Sequence, residues 1–287
     1  MSGDYIAVDW GSSHLRAWLY LNGQCADSLQ LPHGISRLVD QTARDVFAQY
    51  IQPWRGKETL PVVMAGMVGS DAGWQTVPYL ACPVSLQTLS AQLFEVAPLV
   101  WIVPGLNTPH NVMRGEETQL LGAMQLAPDT CYVMPGTHSK WVQVAEGAVS
   151  GFTTAMTGEL YHLLMQHSLI GRGLPAQQDD NRAFQAGLQR GLESPALVNR
   201  LFEARARRVL GELAPGSVGD WLSGLLIGAE VVAMRSELSV SKVTLVGSES
   251  LCRRYWLACE QAGITVNEIA GDTAFQQGIR SILDARR

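Results

Sequence analysis

The sequence predicts an α/β fold built from two similar units. Three observations predict it: a strand–turn–strand pattern with a glycine-hydroxyl turn near the start, a second copy of it mid-chain, and helices alternating with short apolar strands after each copy. With 287 residues, 47% hydrophobic and 16% charged, the chain is long enough for two cores and too apolar for disorder.

The elements follow in order. Residues 5–9 form a short apolar strand ending in Asp9, and Trp10-Gly11-Ser12-Ser13 a turn. Leu15, Ala17 and Leu19 alternate with Arg16, Trp18 and Tyr20, the two-residue period of a strand, and Asn22-Gly23 is a hairpin signal. A helix is expected near 42–51, then a strand at 61–64 running into the glycine-rich 65–70. Ser85 caps a helix carrying Leu86, Leu89, Leu93 and Val96 on one face, 99–103 is a strand, and a helix over 115–127 closes at Pro128. Then the opening returns: strand 130–134, turn 135–139, strand 140–144, a turn at Glu146-Gly147 and strand 149–155. Placing Gly136 on Gly11 puts Thr137 on Ser12 and aligns the flanking strands. A helical region spans 157–238, and the end alternates strand 243–246, helix 248–262, strand 264–269 and helix 273–285. A boundary at 127–128 gives two domains facing each other, 1–127 and 128–287, with the last helix free to cross back.

Composition excludes several classes. A net charge of −5 argues against a nucleic-acid partner held by a basic stripe. Five cysteines, at 25, 82, 131, 252 and 259, are odd in number and form no CxxC pair, as free thiols in a reducing cytoplasm do. No basic segment precedes an apolar run at the start, and the apolar stretch 221–234 contains Glu230 and is short for a bilayer. A cytoplasmic enzyme is expected.

The motifs narrow the chemistry. There is no GxxxxGK[ST] loop, HExxH or GxSxG, and the GxGxxA match at 171–176 lacks a preceding strand and carries Pro175. Asp9 at a strand end can hold a hydrated Mg²⁺; Gly11 lets backbone approach a phosphate, and Ser12 and Ser13 can bind its oxygens. An ordinary β-turn uses the same residues, but the second turn at Gly136-Thr137 favours a paired phosphate clasp. Glu116 and Glu117 open a helix, where acids complement the dipole in any protein. Gly247-Ser248 lies between a strand and a helix: a nucleoside could approach there, or Ser248 could simply cap. Gly224 and Gly228 suit close helix packing.

Taken together, these segments resemble the sugar-kinase branch of the actin and hexokinase superfamily. Closer still, YIAVDWGSSHLRAWLY, HNVMRGEETQLLGA, YVMPGTHSKWVQV and AGDTAFQQGIRSI are similar to the bacterial 2-dehydro-3-deoxygalactonokinase family, and the similarity runs from residue 5 to about 282. The resemblance implies two actin-like (ribonuclease H-like) domains and ATP-dependent phosphorylation of the 6-hydroxyl of 2-dehydro-3-deoxy-D-galactonate. It implies that Asp9 positions Mg²⁺ through water, that Gly11, Ser12, Ser13, Gly136 and Thr137 line the phosphates, and that Gly247 and Ser248 meet the adenosine. Glu116 stands where the superfamily pattern has a catalytic aspartate, which makes it the candidate base, with Glu117 as its competitor. The substrate's carboxylate needs a cation: Arg114 first, with Arg16 and Lys140 as alternatives, while a plain ion pair of Arg114 with Glu116 or Glu117 stays equally open. Gly66, Met67 and Trp74 are expected to shape the sugar pocket. ATP, Mg²⁺ and a sugar acid are the expected partners, a homodimer is left open, and neither nucleic acid nor membrane is expected. An actin-type nucleotide-switched binding protein and a phosphohydrolase of the same fold are the alternatives.

Overall fold

In the computed structural model, which describes residues 3–56 and 60–286, the chain divides into two compact units. The first comprises 1–128, 143–152 and 271–287, and the second 129–142 and 153–270. The chain passes between the units first at 128–129, beside the expected boundary, and 143–152 and the last helix return to the first unit. Residues Ala148 and Val149 pair with Ser85 and Val84, which ties that hairpin segment to the first unit.

The first unit holds a sheet in the order Gln24–Leu31, Leu15–Leu21, Tyr5–Trp10, Val62–Gly66, Val100–Ile102, Phe94–Ala97. Tyr5–Trp10, Val62–Gly66 and Val100–Ile102 run parallel, and the outer strands are antiparallel. Val62–Gly66 is buried at every residue and Tyr5–Trp10 at all but Asp9, as strands covered on both faces are. One face carries Ile6, Val8, Trp10 and Met64 against Val46 and Phe47. Helices Glu116–Leu126 and Gly271–Ala285 cross at Gly122 and Gly278; a Cβ on Gly122 would stand 1.8 Å from the Ala274 carbonyl oxygen. That crossing anchors the C-terminal helix in the first unit.

The other six-stranded sheet runs in the order Thr265–Ala270, Lys242–Gly247, Cys131–Met134, Ser139–Ala145, Ala148–Ala155, Val84–Ser85. Each sheet thus lays the three strands of its repeat side by side, first strand inward, and continues into parallel strands. The two hairpin turns even share their backbone, with φ of 52° and 77° at Asn22-Gly23 and 53° and 74° at Glu146-Gly147.

Some elements depart from expectation. The helix opened by Ser85 stops at Ala91, and Phe94–Ala97 is a strand antiparallel to Val100–Ile102. Phe94 and Val96 suit a strand, and Leu99 at φ 60° makes the turn. The expected 42–51 helix starts at a Thr42/Asp45 capping box, passes through a π-turn and ends at Arg55. The region 157–238 is four helices, Thr157–His167, Asn181–Leu192, Glu203–Val209 and Val218–Leu238. The last of these is longer than the apolar stretch suggested: Pro215–Leu238 has the length and composition to cross a membrane, yet it is mostly buried as a core helix. It packs on Asn181–Leu192 through Gly187, Gly191, Gly224 and Gly228, where a Cβ on Gly187 would lie 1.9 Å from the Trp221 carbonyl oxygen.

Candidate active site

Asp9 is the last residue but one of its strand, register-paired with Arg16 on the next. The Arg16 guanidinium donates to Asp9 through Nη2 and, through Nη1, to Asp272 in the first turn of the final helix. Burial pushes the Asp9 carboxyl above its ordinary pKa; Arg16 opposes that rise and Asp272 adds to it. The following turn is closed by the Gly11 N–H donating to the His14 carbonyl at 3.0 Å, and the Ile35 and Ser36 amides donate to the Gly11 and Ser12 carbonyls. Gly34 must be glycine, because a Cβ would fall 2.2 Å from the Ser13 carbonyl carbon. So braced, Ser12, Ser13 and His14 are exposed. A recess of about 270 Å³ is lined by Asp9, Gly11, Ser13, His14, Arg16 and Gln30.

Elsewhere in the first unit, Glu116 and Glu117 open the Glu116–Leu126 helix. Glu116 is partly exposed, and its Oε2 accepts the Arg114 backbone N–H at 3.0 Å. Glu117 has no exposed surface; its carboxyl accepts the Gly115 N–H at 2.6 Å and the Thr118 hydroxyl at 3.3 Å. Burial first, then the neighbouring Glu116 charge, push Glu117 up to about 8. The Arg114 guanidinium stacks 4.3 Å from the Tyr79 ring centre and donates from Nη2 to the Val77 carbonyl at 2.6 Å. Its Nη1 is buried with no hydrogen-bond partner among the described residues, in space that Gly69 leaves open: a Cβ there would stand 2.8 Å from it. Gly66 is buried at its strand end, and Met67 starts the short Met67–Gly69 turn. Trp74 meets the Phe47 ring edge-on at 5.0 Å and packs against the first-unit core, so packing already accounts for much of its surface.

The second unit repeats the braced turn. Gly158, at the start of Thr157–His167, lies so close that a Cβ would come within 2.5 Å of the Gly136 carbonyl oxygen. The Glu159 N–H donates to the Thr137 carbonyl at 2.9 Å, and the Glu159 carboxylate pairs with His138. Beside this turn opens a cavity of about 480 Å³, within the range of small-ligand sites. Gly136, Thr137, Tyr161, Asp220 and Arg254 are among its walls. Arg254 donates to Asp220 at 2.5 Å, and the other Asp220 oxygen accepts the Asp180 N–H at 2.6 Å. Burial, then the Asp220 charge, raise the Tyr161 phenol above its usual range.

The expected residues therefore gather as two sets. Asp9, Gly11 and Ser13 line the first recess, with Ser12 exposed in the same turn; Gly136 and Thr137 line the second-unit cavity. Gly247 runs beside the second turn, where a Cβ would lie 3.7 Å from Pro135 Cδ. Neither Gly247 nor Ser248 lines the cavity; the next helical turn does, through Leu251, Arg254 and Tyr255. Ser248 sits at the N-cap without a side-chain capping bond, so plain capping does not explain it either. Lys140 is 4% exposed in the second unit, whereas Arg16 and Arg114 belong to the first. Sequence reasoning missed Asp272, Asp220 and Arg254, and also the two bracing glycines. Gly34 and Gly158 each follow the third strand of a repeat, the one signal that could have found them.

Comparisons with known proteins give the family. Residues 9–282 match the profile of the family described as 2-keto-3-deoxy-galactonokinase. The 2-dehydro-3-deoxygalactonokinase of Escherichia coli K12 is 52% identical, over 99% of both chains. A solved structure from Sinorhizobium meliloti, provisionally assigned to the same kinase, superposes with a TM-score of 0.88 at 32% identity over 98% of both chains. The Clostridium difficile activator of 2-hydroxyisocaproyl-CoA dehydratase, solved with ADPNP, covers 99% of this chain at TM-score 0.51 and 11% identity, a likeness of fold alone. The Acidaminococcus fermentans (R)-2-hydroxyglutaryl-CoA dehydratase component A shares the fold likewise, at TM-score 0.52 and 11% identity over 99% of both chains.

Proposed function

The chain belongs to the 2-keto-3-deoxy-galactonokinase family, and we propose that it transfers the γ-phosphoryl group of ATP to the 6-hydroxyl of 2-dehydro-3-deoxy-D-galactonate. The products are 2-dehydro-3-deoxy-6-phospho-D-galactonate and ADP, a step of galactonate catabolism. The observation that carries this reading is identity to the Escherichia coli kinase over essentially the full length of both chains. Neither the switched binding protein nor the phosphohydrolase has such support.

The site roles extend the reading. The turns at Gly11–Ser13 and Gly136–Thr137 offer amides and hydroxyls to phosphate oxygens, and their bracing glycines support that use because they hold the turns' backbone fixed. Arg254 and Asp220 line the cavity the nucleoside would enter, and Gly247 and Ser248, just before that helical turn, are the nearer candidates for its rim. Asp9 is the residue to hold Mg²⁺ through water. Its half-buried carboxylate, with Asp272 beyond Arg16, is a hard-oxygen set too sparse to strip such an ion, which suits a cation that keeps its waters. When bound, that ion would neutralise charge on the phosphates.

Glu116 takes the proton of the attacking hydroxyl; its partial exposure supports the role, and complete burial disfavours Glu117. Arg114 receives the substrate carboxylate, a role supported by its unpartnered Nη1. Gly66, Met67 and the exposed part of Trp74 form the pocket wall; Lys140, nearly buried, is the poorer cation. Product analysis tests the reading: incubation with ATP, Mg²⁺ and the sugar acid should yield a 6-phosphorylated acid and equimolar ADP. ADP release that ignores the acid would refute it.

A further inference from the structure

Beneath the second phosphate turn lies a buried carboxylate that none of the roles above uses. Glu230 sits in the buried, otherwise apolar stretch 224–231 of the Val218–Leu238 helix and is 6% exposed. Its Oε1 accepts the Trp141 indole N–H at 2.7 Å and its Oε2 the Tyr255 hydroxyl at 2.6 Å. The Tyr255 oxygen in turn lies 2.7 Å from the Ser139 hydroxyl. Burial holds the carboxyl above its ordinary pKa, and the Thr157, Trp141, Tyr255 and Ser139 side chains around it oppose that rise.

These donors come from separate elements. Ser139 and Trp141 lie on the strand that leaves the turn, and as positions two apart they share a face. Thr157 opens the helix whose Gly158 braces Gly136, and Tyr255 lies on the helix after Gly247-Ser248. A leucine at 230 would suit an apolar core helix, and a carboxylate there is costly unless several donors meet it. The hydrogen bonds converge on the helix that also lends Asp220, Ser223, Leu226 and Ile227 to the cavity.

We infer that Glu230, Tyr255 and Ser139 form a positioning network that sets the Gly136–Thr137 turn for the nucleotide phosphates. The inference rests on the kinase reading, since it supposes that a nucleoside triphosphate meets this turn. Glu230 and Ser139 line no part of the cavity, and Tyr255 borders it only as one wall residue; the network fixes where the turn's amides stand, so loosening it at Ser139 as well as at Tyr255 should weaken nucleotide binding while leaving the sugar acid unaffected.

Glu230→Ala risks unfolding the unit, so the decisive variants are Tyr255→Phe and Ser139→Ala, each removing one hydroxyl. Val243→Ala, a truncation in the same core away from the network, is the control for general softening. Calorimetric titration with a non-hydrolysable ATP analogue and Mg²⁺, together with steady-state kinetics, should show about tenfold weaker nucleotide binding and a matching rise in KM for ATP in both hydroxyl variants. KM for the sugar acid should stay within about twofold, and Val243→Ala should bind nucleotide like the wild type. Wild-type nucleotide affinity in Tyr255→Phe would overturn the inference, as would an equal loss in Val243→Ala. If the wild type itself binds no nucleotide, the kinase reading falls, and the network's role with it.

Discussion

Glu116 and Glu117 stand side by side at the start of one helix, and only Glu116 reaches solvent. Each accepts a backbone amide from the loop before it, Glu116 from Arg114 and Glu117 from Gly115. Adjacent helical positions point to different faces, so one loop can hold both carboxyls in opposite environments. Glu116→Gln should therefore lower kcat by about 10²–10⁴-fold, the usual effect of removing a general base, with nucleotide binding intact. Glu117→Gln should keep most of its turnover. Single-turnover kinetics on the two variants would check the assignment, and the reverse ranking would move the base to Glu117.

Glu117 also has a pH signature in stability. Its folded pKa of about 8 lies above the ordinary carboxyl value, so the folded state retains a proton that the unfolded chain has lost. Its contribution to stability is then full below the unfolded pKa and is lost as pH rises through about 8. Thermal melts from pH 5.5 to 8.5 should fall for the wild type and fall less for Glu117→Gln. Parallel curves would show that Glu117 ionises freely in the fold.

Asp9→Asn should reduce turnover by about 10²–10³-fold while changing KM for the sugar acid little, because it disturbs charge at the phosphates and not the acceptor. Asp272 reaches Asp9 only through Arg16, so Asp272→Asn should be milder. Steady-state kinetics at saturating ATP and Mg²⁺ separate the two. Normal turnover in Asp9→Asn would remove that residue from the site.

Arg114→Met should raise KM for the sugar acid by about 10–100-fold, the worth of one charge-assisted hydrogen bond. Gly69→Ala should act in the same direction, since its methyl would crowd the space at Nη1. Unchanged KM in both variants would leave Arg114 as a structural residue held by Val77 and Tyr79.

Much of the fold was legible because it depends on local signals. Alternation at 15–20, Asn22-Gly23 and Glu146-Gly147 marked the hairpins, and matching Gly136 to Gly11 exposed the repeat that both sheets now display. Family identity was legible as well, since the motifs lie along nearly the whole chain. What stayed hidden depends on contacts distant in sequence. Asp272 meets Arg16 across 256 positions and Tyr255 meets Ser139 across 116, and no period or spacing encodes such pairs. The same applies to the pairing of Ala148–Val149 with Val84–Ser85, which no local pattern announces.

The central claim is that this chain phosphorylates one class of acceptor, a 2-oxo-3-deoxy sugar acid. ADP release measured by a coupled assay, with ATP and Mg²⁺ and a panel of acceptors, tests it most directly. The account predicts rapid release with 2-dehydro-3-deoxy-D-galactonate, little with glucose or glycerol, and none without an acceptor. Equal rates with the neutral sugars, or release with no acceptor present, would contradict it.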